Sequence, residues 1–337
     1  MAVLFYPIPY PRPFPKYSIF ILLLFGSVYC ATPPRRTAPP SPQAQLGKKL
    51  FFDTRLSATG SKSCASCHDP RFAFSDGYRT SPGLLGDTVR RNAPSLINTA
   101  LLHSLNWANP DIRTFEEQML RPLFGTTPPE LGLSRTTTPA HSYTKPLDSL
   151  LAELSRDRDY QPLFKKAYPK ASNEWTLEHL TGAIGAFERT LVSLNSPYDA
   201  FLKGKSATLS PEAQRGANLF FSPQTGCANC HSGTLFTNHQ FYYAGFPDSD
   251  DQGLYEHTKI QRDTFKFRTP TLRNLSFTAP YFHDGRATTL TDVLNTPGHR
   301  VGLTANQQLD LIFFLESLSD STIMHNSWFF ENINAGF

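Results

Sequence analysis

One phrase is written twice in this chain. SPQAQLGKKLFF runs from Ser41 to Phe52 and SPEAQRGANLFF from Ser210 to Phe221, with eight of twelve positions identical and an offset of 169 residues. Each copy opens as a helix does: Ser at the cap, Pro in the first turn where its missing N–H is not needed, then apolar residues at helical spacing. Two amphipathic helix starts can share wording by chance. The residues downstream of each copy argue otherwise, because Cys64 to His68 reads CASCH and Cys227 to His231 reads CANCH. The repeated unit is helix, short loop, Cys-x-x-Cys-His, and a duplicated domain is the account that fits.

Four of the five cysteines sit in those two motifs. Three chemistries compete for them. Zinc takes thiolates and imidazoles, and two such clusters could hold one or two ions. A lone Cys-x-x-Cys can be a redox dithiol. In the third, both thiols add to the vinyl groups of a c-type haem and the adjoining His becomes the proximal iron ligand. Neither zinc nor a dithiol requires a His directly after the second Cys. Its presence both times selects haem, held by Cys64, Cys67 and His68 and again by Cys227, Cys230 and His231.

The compartment agrees. Residues 1–30 contain no acid, two basic residues (Arg12, Lys16) and the apolar run Ile19 to Val28, which reads as an export signal. The run is short for a membrane span, so an uncleaved anchor is the lesser reading. Cys30 is a candidate lipid-attachment cysteine, although Tyr29 before it is larger than such processing prefers. Residues 31–42, rich in Pro, Arg and Thr, read as a tether. Removing the signal leaves 30 Lys+Arg against 28 Asp+Glu, a balance that gives no case for nucleic acid. The 337 residues suffice for two domains, and 39% hydrophobic with 18% charged residues fits a globular protein.

The motifs start 163 residues apart, more than a minimal cytochrome needs. The interval holds Pro- and Thr-rich loops and a helical segment, LTGAIGAFERTLVSLNSPYDAFL, expected to end near Asn195 and Pro197. A last helix starts at Thr304 with a Thr-x-x-Gln box (Thr304, Gln307) and is apolar nearly all round. Strand signals are weak. The expected fold is mainly α, two cytochrome-c-like domains with one covalent haem each, over 43–205 and 206–337.

LFFDTRLSATGSKSCASCHDP, RNAPSLINTA, FERTLVSLNSPYD, GCANCHSGTLFT and RTPTLRNLSFTAPYFHDGRATTL together resemble the bacterial di-haem cytochrome c peroxidases and their MauG relatives, over roughly Gln43 to Asp320. LNWANPDIRTFEEQMLRPLFGTTPPELGL is most similar to the MbnH branch, whose members oxidise a tryptophan of a partner protein. The resemblance implies that the first haem reacts with hydrogen peroxide. Where many peroxidases of the family carry a histidine sixteen residues after the proximal ligand, this chain has Leu84, and PRFAFSDG offers no His or Met. That implies an iron open on its distal side. Glu130 in PPELGL matches the distal glutamate that moves a proton between the peroxide oxygens, and Gln118 in FEEQM the glutamine that orients them. Trp107 matches a tryptophan between the haems. Asn92, with the carbonyls of Thr278 and Pro280, matches an inter-haem calcium site of hard oxygen donors.

The second haem departs from the pattern. Its sixth ligand, Met or Tyr fourteen residues past the HDG histidine, falls here on Pro297, which cannot ligate. His299 is the replacement expected, the alternative being a loop histidine beside an iron left open or water-bound, and His in place of Met lowers a haem potential. His283 has a family counterpart near the second haem. His103, His141, His179, His239, His257 and His325 read as surface or satisfied polar histidines. The expected protein is an exported, periplasmic oxidoreductase. It takes electrons from a small redox protein (c-type cytochrome or cupredoxin) or from a tryptophan or tyrosine of a partner protein. An electron-transfer cytochrome with both haems capped is the alternative.

Overall fold

The computed structural model describes residues 39–137, 141, 143–172, 174–247 and 250–330. The export segment, Cys30 and residues 31–38 lie outside them. Among the described residues the first half holds α1 (Pro42–Phe51), α2 (Phe115–Phe124), α3 (Leu147–Arg156), α4 (Gln161–Ala167) and α5 (Leu177–Glu188). The second holds α6 (Pro197–Leu202), α7 (Pro211–Phe220), α8 (Cys227–Cys230), α9 (Tyr255–Thr258), α10 (Leu290–Leu294), α11 (Ala305–Glu316) and α12 (Ser327–Phe330). Strands are short: β1 (Leu133–Ser134) runs parallel to β2 (Lys145–Pro146), and β3 (Phe241–Tyr243) antiparallel to β4 (Lys266–Arg268). None of the described helices is long and apolar enough to cross a membrane.

The duplicated phrase folds into duplicated packing. α1 and α7 are capped alike, Ser41 and Ser210 each accepting the N–H three residues on at 3.1 Å. α1 packs on α5 and α7 on α11. Both crossings are made at the glycine of the repeat. A Cβ at Gly47 would lie 1.8 Å from the Ala183 carbonyl oxygen, and one at Gly216 1.9 Å from that of Asp310, so only glycine permits either approach. Next to each crossing stands a triangle of phenylalanines. Phe51, Phe74 and Phe187 have ring centroids 5.1 to 6.2 Å apart, and Phe220, Phe236 and Phe314 likewise 5.1 to 6.2 Å. These are the separations at which aromatic edges and faces attract. Two hydrophobic cores form around the triangles.

The cores do not divide the chain at one point. Tyr198 of α6 packs in the second, while Ile323 and Phe329, beyond α11, return to the first. The helical segment expected to run to Asn195 stops at Glu188. Ser196 and Pro197 open a helix there, with Ser196 accepting from the Asp199 N–H and Asp199 reaching back to the Ser196 N–H. The Thr304–Gln307 box caps α11 as expected. That helix is less evenly buried than its composition suggests, since Leu309 and Phe313 face outward.

Candidate active site

Each motif folds as one helical turn, and the histidine that ends it is held in the same way twice. His68 Nδ1 donates to the carbonyl of Phe74 at 2.9 Å, and His231 Nδ1 to that of Phe236 at 3.0 Å. Both phenylalanines have a left-handed backbone, with φ of 60° and 53°. A bulky residue adopts that conformation only when its surroundings enforce it. Here the ring is fixed in the aromatic triangle while the carbonyl turns toward the imidazole. Fixing Nδ1 as the donor leaves Nε2 as the lone-pair nitrogen, the arrangement of a metal-ligating histidine with its outer partner in place. Burial also lowers the pKa of both imidazoles, that of His231 to about 4, which favours the neutral form that can ligate.

Burial raises the pKa of Cys64, Cys67, Cys227 and Cys230, whereas a redox dithiol requires a lowered one. Among the described residues no group of three or more His, Cys, Asp or Glu side chains converges as a metal cage.

His68, Cys64 and Cys67 lie on the wall of a cavity of about 280 Å³, which Gln118, Glu130, Asn92 and Trp107 also line. Residues far apart in the sequence are thus brought to one space. Glu130 is half-buried, and its loop is tied down by the Leu131 N–H bonding the Pro122 carbonyl at 3.0 Å. Burial raises its carboxyl pKa, with Lys62 and Arg121 pulling the other way, so it can hold a proton more readily than a surface acid. Gln118 accepts from Asn106 Nδ2 at 3.2 Å. Leu84 is packed under the Glu130 loop, its N–H donating to the Pro129 carbonyl at 3.0 Å, and is not on the cavity wall.

Trp107 joins the two halves. Its indole N–H donates to the Asn92 carbonyl at 3.1 Å, and its own carbonyl accepts from the Arg268 N–H at 2.8 Å. The Asn92 N–H bonds the His283 carbonyl at 2.6 Å. Asn92 is buried, and its side-chain nitrogen donates to the Tyr78 carbonyl at 3.0 Å, which turns the side-chain oxygen away from that contact. Pro280 follows a cis peptide bond from Ala279, and Thr278 precedes that pair. His283 is buried between aromatic rings, stacked on Phe267 at 3.5 Å.

His299 lines a second cavity, of about 300 Å³, between α10 and α11. Its ring centroid is 6.4 Å from that of His231, with Nδ1 3.2 Å from Thr296 Oγ1. Two imidazoles binding one metal from opposite faces, each through a bond of about 2 Å, have centroids roughly 6 Å apart. Of the histidines read as unremarkable, His239 differs: its Nδ1 is buried without a hydrogen-bond partner among the described residues, and its ring stacks on His103 at 3.9 Å.

Sequence reasoning missed several residues of the cavity. Met119, Glu188 and Arg268 all line it. Glu188 and Arg268 stand inside the motif stretches FERT and RTPTLRN, but only the fold shows which motif residues turn inward. Burial pushes the Glu188 carboxyl up to about 8.

Comparison with known proteins identifies the family. Residues 41–207 match the model of the di-haem cytochrome c peroxidase family. The methylamine utilization protein MauG of Methylophilus methylotrophus is 33% identical over 298 residues, covering 83% of each chain. Cytochrome c551 peroxidase of Pseudomonas aeruginosa is 32% identical over 288 residues, 82% of this chain and 78% of that one. The crystal structure of a MauG-like protein associated with microbial copper homeostasis superposes with a TM-score of 0.79 at 32% identity, over 89% of this chain and 98% of the other. The chain belongs to the di-haem cytochrome c peroxidase family and is a peroxidase-type oxidoreductase.

Proposed function

We propose that the chain carries two covalent haems, on Cys64/Cys67 and Cys227/Cys230, and uses hydrogen peroxide to oxidise a tryptophan or tyrosine of a partner protein. The observation that carries this reading is the duplicated Nδ1-to-phenylalanine bond, which leaves one imidazole nitrogen per motif for iron. Haem on His68 supplies the iron at which the peroxide O–O bond breaks and the redox equivalents it exchanges. The chain supplies the proton handling. Glu130, raised in pKa and facing the cavity, takes the proton from the inner peroxide oxygen and returns it to the outer one, while Gln118 orients the peroxide. Two electrons and two protons then complete its reduction to water. Among the described residues His68 is the one histidine that lines the cavity, and Met119 lines it too.

His299, with its ring 6.4 Å from that of His231, would help to hold the haem on His231, and Trp107 bridges the two halves through its bonds to Asn92 and Arg268. Asn92, with the carbonyls of Thr278 and Pro280, offers calcium a set of hard oxygens between them. The stretch LNWANPDIRTFEEQMLRPLFGTTPPELGL, most similar to the MbnH branch, supports a protein substrate over a c-type cytochrome or cupredoxin as electron source, while the identities of 33% to MauG and 32% to cytochrome c551 peroxidase do not separate the two. The basic, acid-free leader supports export to the periplasm. Low-temperature EPR of the purified ferric protein tests the core of the reading. One high-spin and one low-spin haem are expected; two low-spin haems would mean no free peroxide site at rest.

A further inference from the structure

We propose that Arg268, at the end of β4 in the second half, binds a propionate carboxylate of the haem seated on His68 in the first half. The inference rests on the proposed haem attachment and adds a residue outside both Cys-x-x-Cys-His motifs. Arg268 is only 4% exposed and lines the same cavity as Cys64, Cys67 and His68. Its fork is poorly spent on the protein. Nε donates to the Asn106 carbonyl at 3.2 Å, Nη1 reaches the Thr269 carbonyl only at 3.4 Å, and no carboxylate among the described residues lies within ion-pair distance. Arg273 is just as buried, yet it makes two bonds of 2.7 and 2.8 Å to Asp199. Arg91 spends its fork on Asp251 at 2.6 and 2.8 Å.

Burial lowers the Arg268 pKa to about 10, with no acid opposing it, and the group is still cationic at neutral pH. A desolvated, unpaired charge costs several kcal/mol, so a buried guanidinium calls for an anion. Glu130 and Glu188 line the same cavity, and neither bonds to it. The remaining donors suit a planar carboxylate bound through two parallel bonds. Haem brings carboxylates into this cavity as part of its own structure. Because the Arg268 N–H also holds the Trp107 carbonyl and Nε the Asn106 carbonyl, the guanidinium is anchored beside Trp107 and cannot swing out to solvent without breaking those bonds.

The test uses the full, haem-loaded chain. Wild type, Arg268→Gln and Arg268→Lys are compared by haem count, by spectroelectrochemical titration of the high-spin haem, and by the resonance Raman propionate bending band. Arg268→Gln, with two haems attached, is expected to lower the ferrous preference of that haem at least tenfold, about 59 mV for one electron, and to shift the band. Arg268→Lys keeps the charge without the fork, so the potential is expected to recover while the band stays shifted. Two attached haems with both readouts unchanged overturn the proposal. So does a potential that moves while the band does not, which would assign the guanidinium to a free anion. If Arg268→Gln does not accumulate, Arg268→Lys decides alone, an unshifted band overturning the proposal. A wild-type chain without haem would sink the functional reading instead.

Discussion

Replacing Gly47 with alanine separates steric from conformational effects by sign. Alanine is the better helix former by about 1 kcal/mol, so a site with room for a methyl group would gain stability. Gly47 has no such room. The added carbon would stand 1.8 Å from the Ala183 carbonyl oxygen and 2.4 Å from its carbon, both backbone atoms of α5. Non-bonded contact requires about 3.5 Å, so α1 and α5 must part by roughly 1.7 Å. No rotamer change can relieve a backbone clash. The cost therefore falls at the upper end of the overpacking range, about 3 kcal/mol, and the net loss is about 2 kcal/mol after the propensity gain. Urea unfolding followed by far-UV circular dichroism is expected to show a lower midpoint at unchanged slope. Gly182→Ala on α5 is the internal control. There the nearest atom is the Tyr168 hydroxyl at 3.3 Å, a side-chain end that can shift, and alanine is expected to be neutral or stabilising. If Gly47→Ala proves as stable as wild type, the close crossing is wrong. Gly216→Ala in the second half repeats the experiment against Asp310.

Other consequences can be measured directly. His299→Ala is expected to convert the second haem from low to high spin by EPR, and an unchanged spectrum would remove His299 as its ligand. Glu130→Gln keeps shape but cannot relay a proton; stopped-flow mixing with peroxide is expected to show a reaction slower by about 10² to 10⁴-fold with haem content unchanged. Glu188 is held about 8, above its ordinary 4.5, so the folded state binds its proton more tightly than the unfolded chain does. Its contribution is full below pH 4.5 and lost as pH rises through 8. Between about pH 5.5 and 8 wild type is therefore expected to lose up to about 3 kcal/mol that Glu188→Gln retains, read from urea titrations at the two pH values. Asp199→Ala strands the Arg273 guanidinium and is expected to cost about 3–5 kcal/mol in the same assay.

The sequence was most legible where chemistry is written in consecutive letters. The Cys-x-x-Cys-His turns, the Ser-Pro helix starts and the Thr304 box depend on residues a few positions apart, and each is present as read. The helix end at Glu188 was missed because apolar periodicity continues past it, while the Ser196–Asp199 capping box restarts the chain in a new direction. The aromatic triangles were not visible either. Phe74 stands six residues after His68 and Phe236 five after His231, so no fixed spacing announces them. Arg268 and Glu188 were hidden for a different reason: charged side chains usually face solvent, and only the assembled cavity shows these two turned inward.

The return of the chain to its first core has a consequence for biogenesis. Phe329 packs edge-on against Phe74 at 5.6 Å, Trp328 Nε1 reaches Thr190 Oγ1 at 3.3 Å, and Lys48 lies over the Trp328 ring at 4.4 Å. Phe329 and Trp328, whose ring lies 6.2 Å from Phe187, thus pack on the triangle that fixes the carbonyl holding His68. Residues 323–330 are synthesised after the rest of the second half, so the contacts that seal the first core can form only once both Cys-x-x-Cys-His turns have been made.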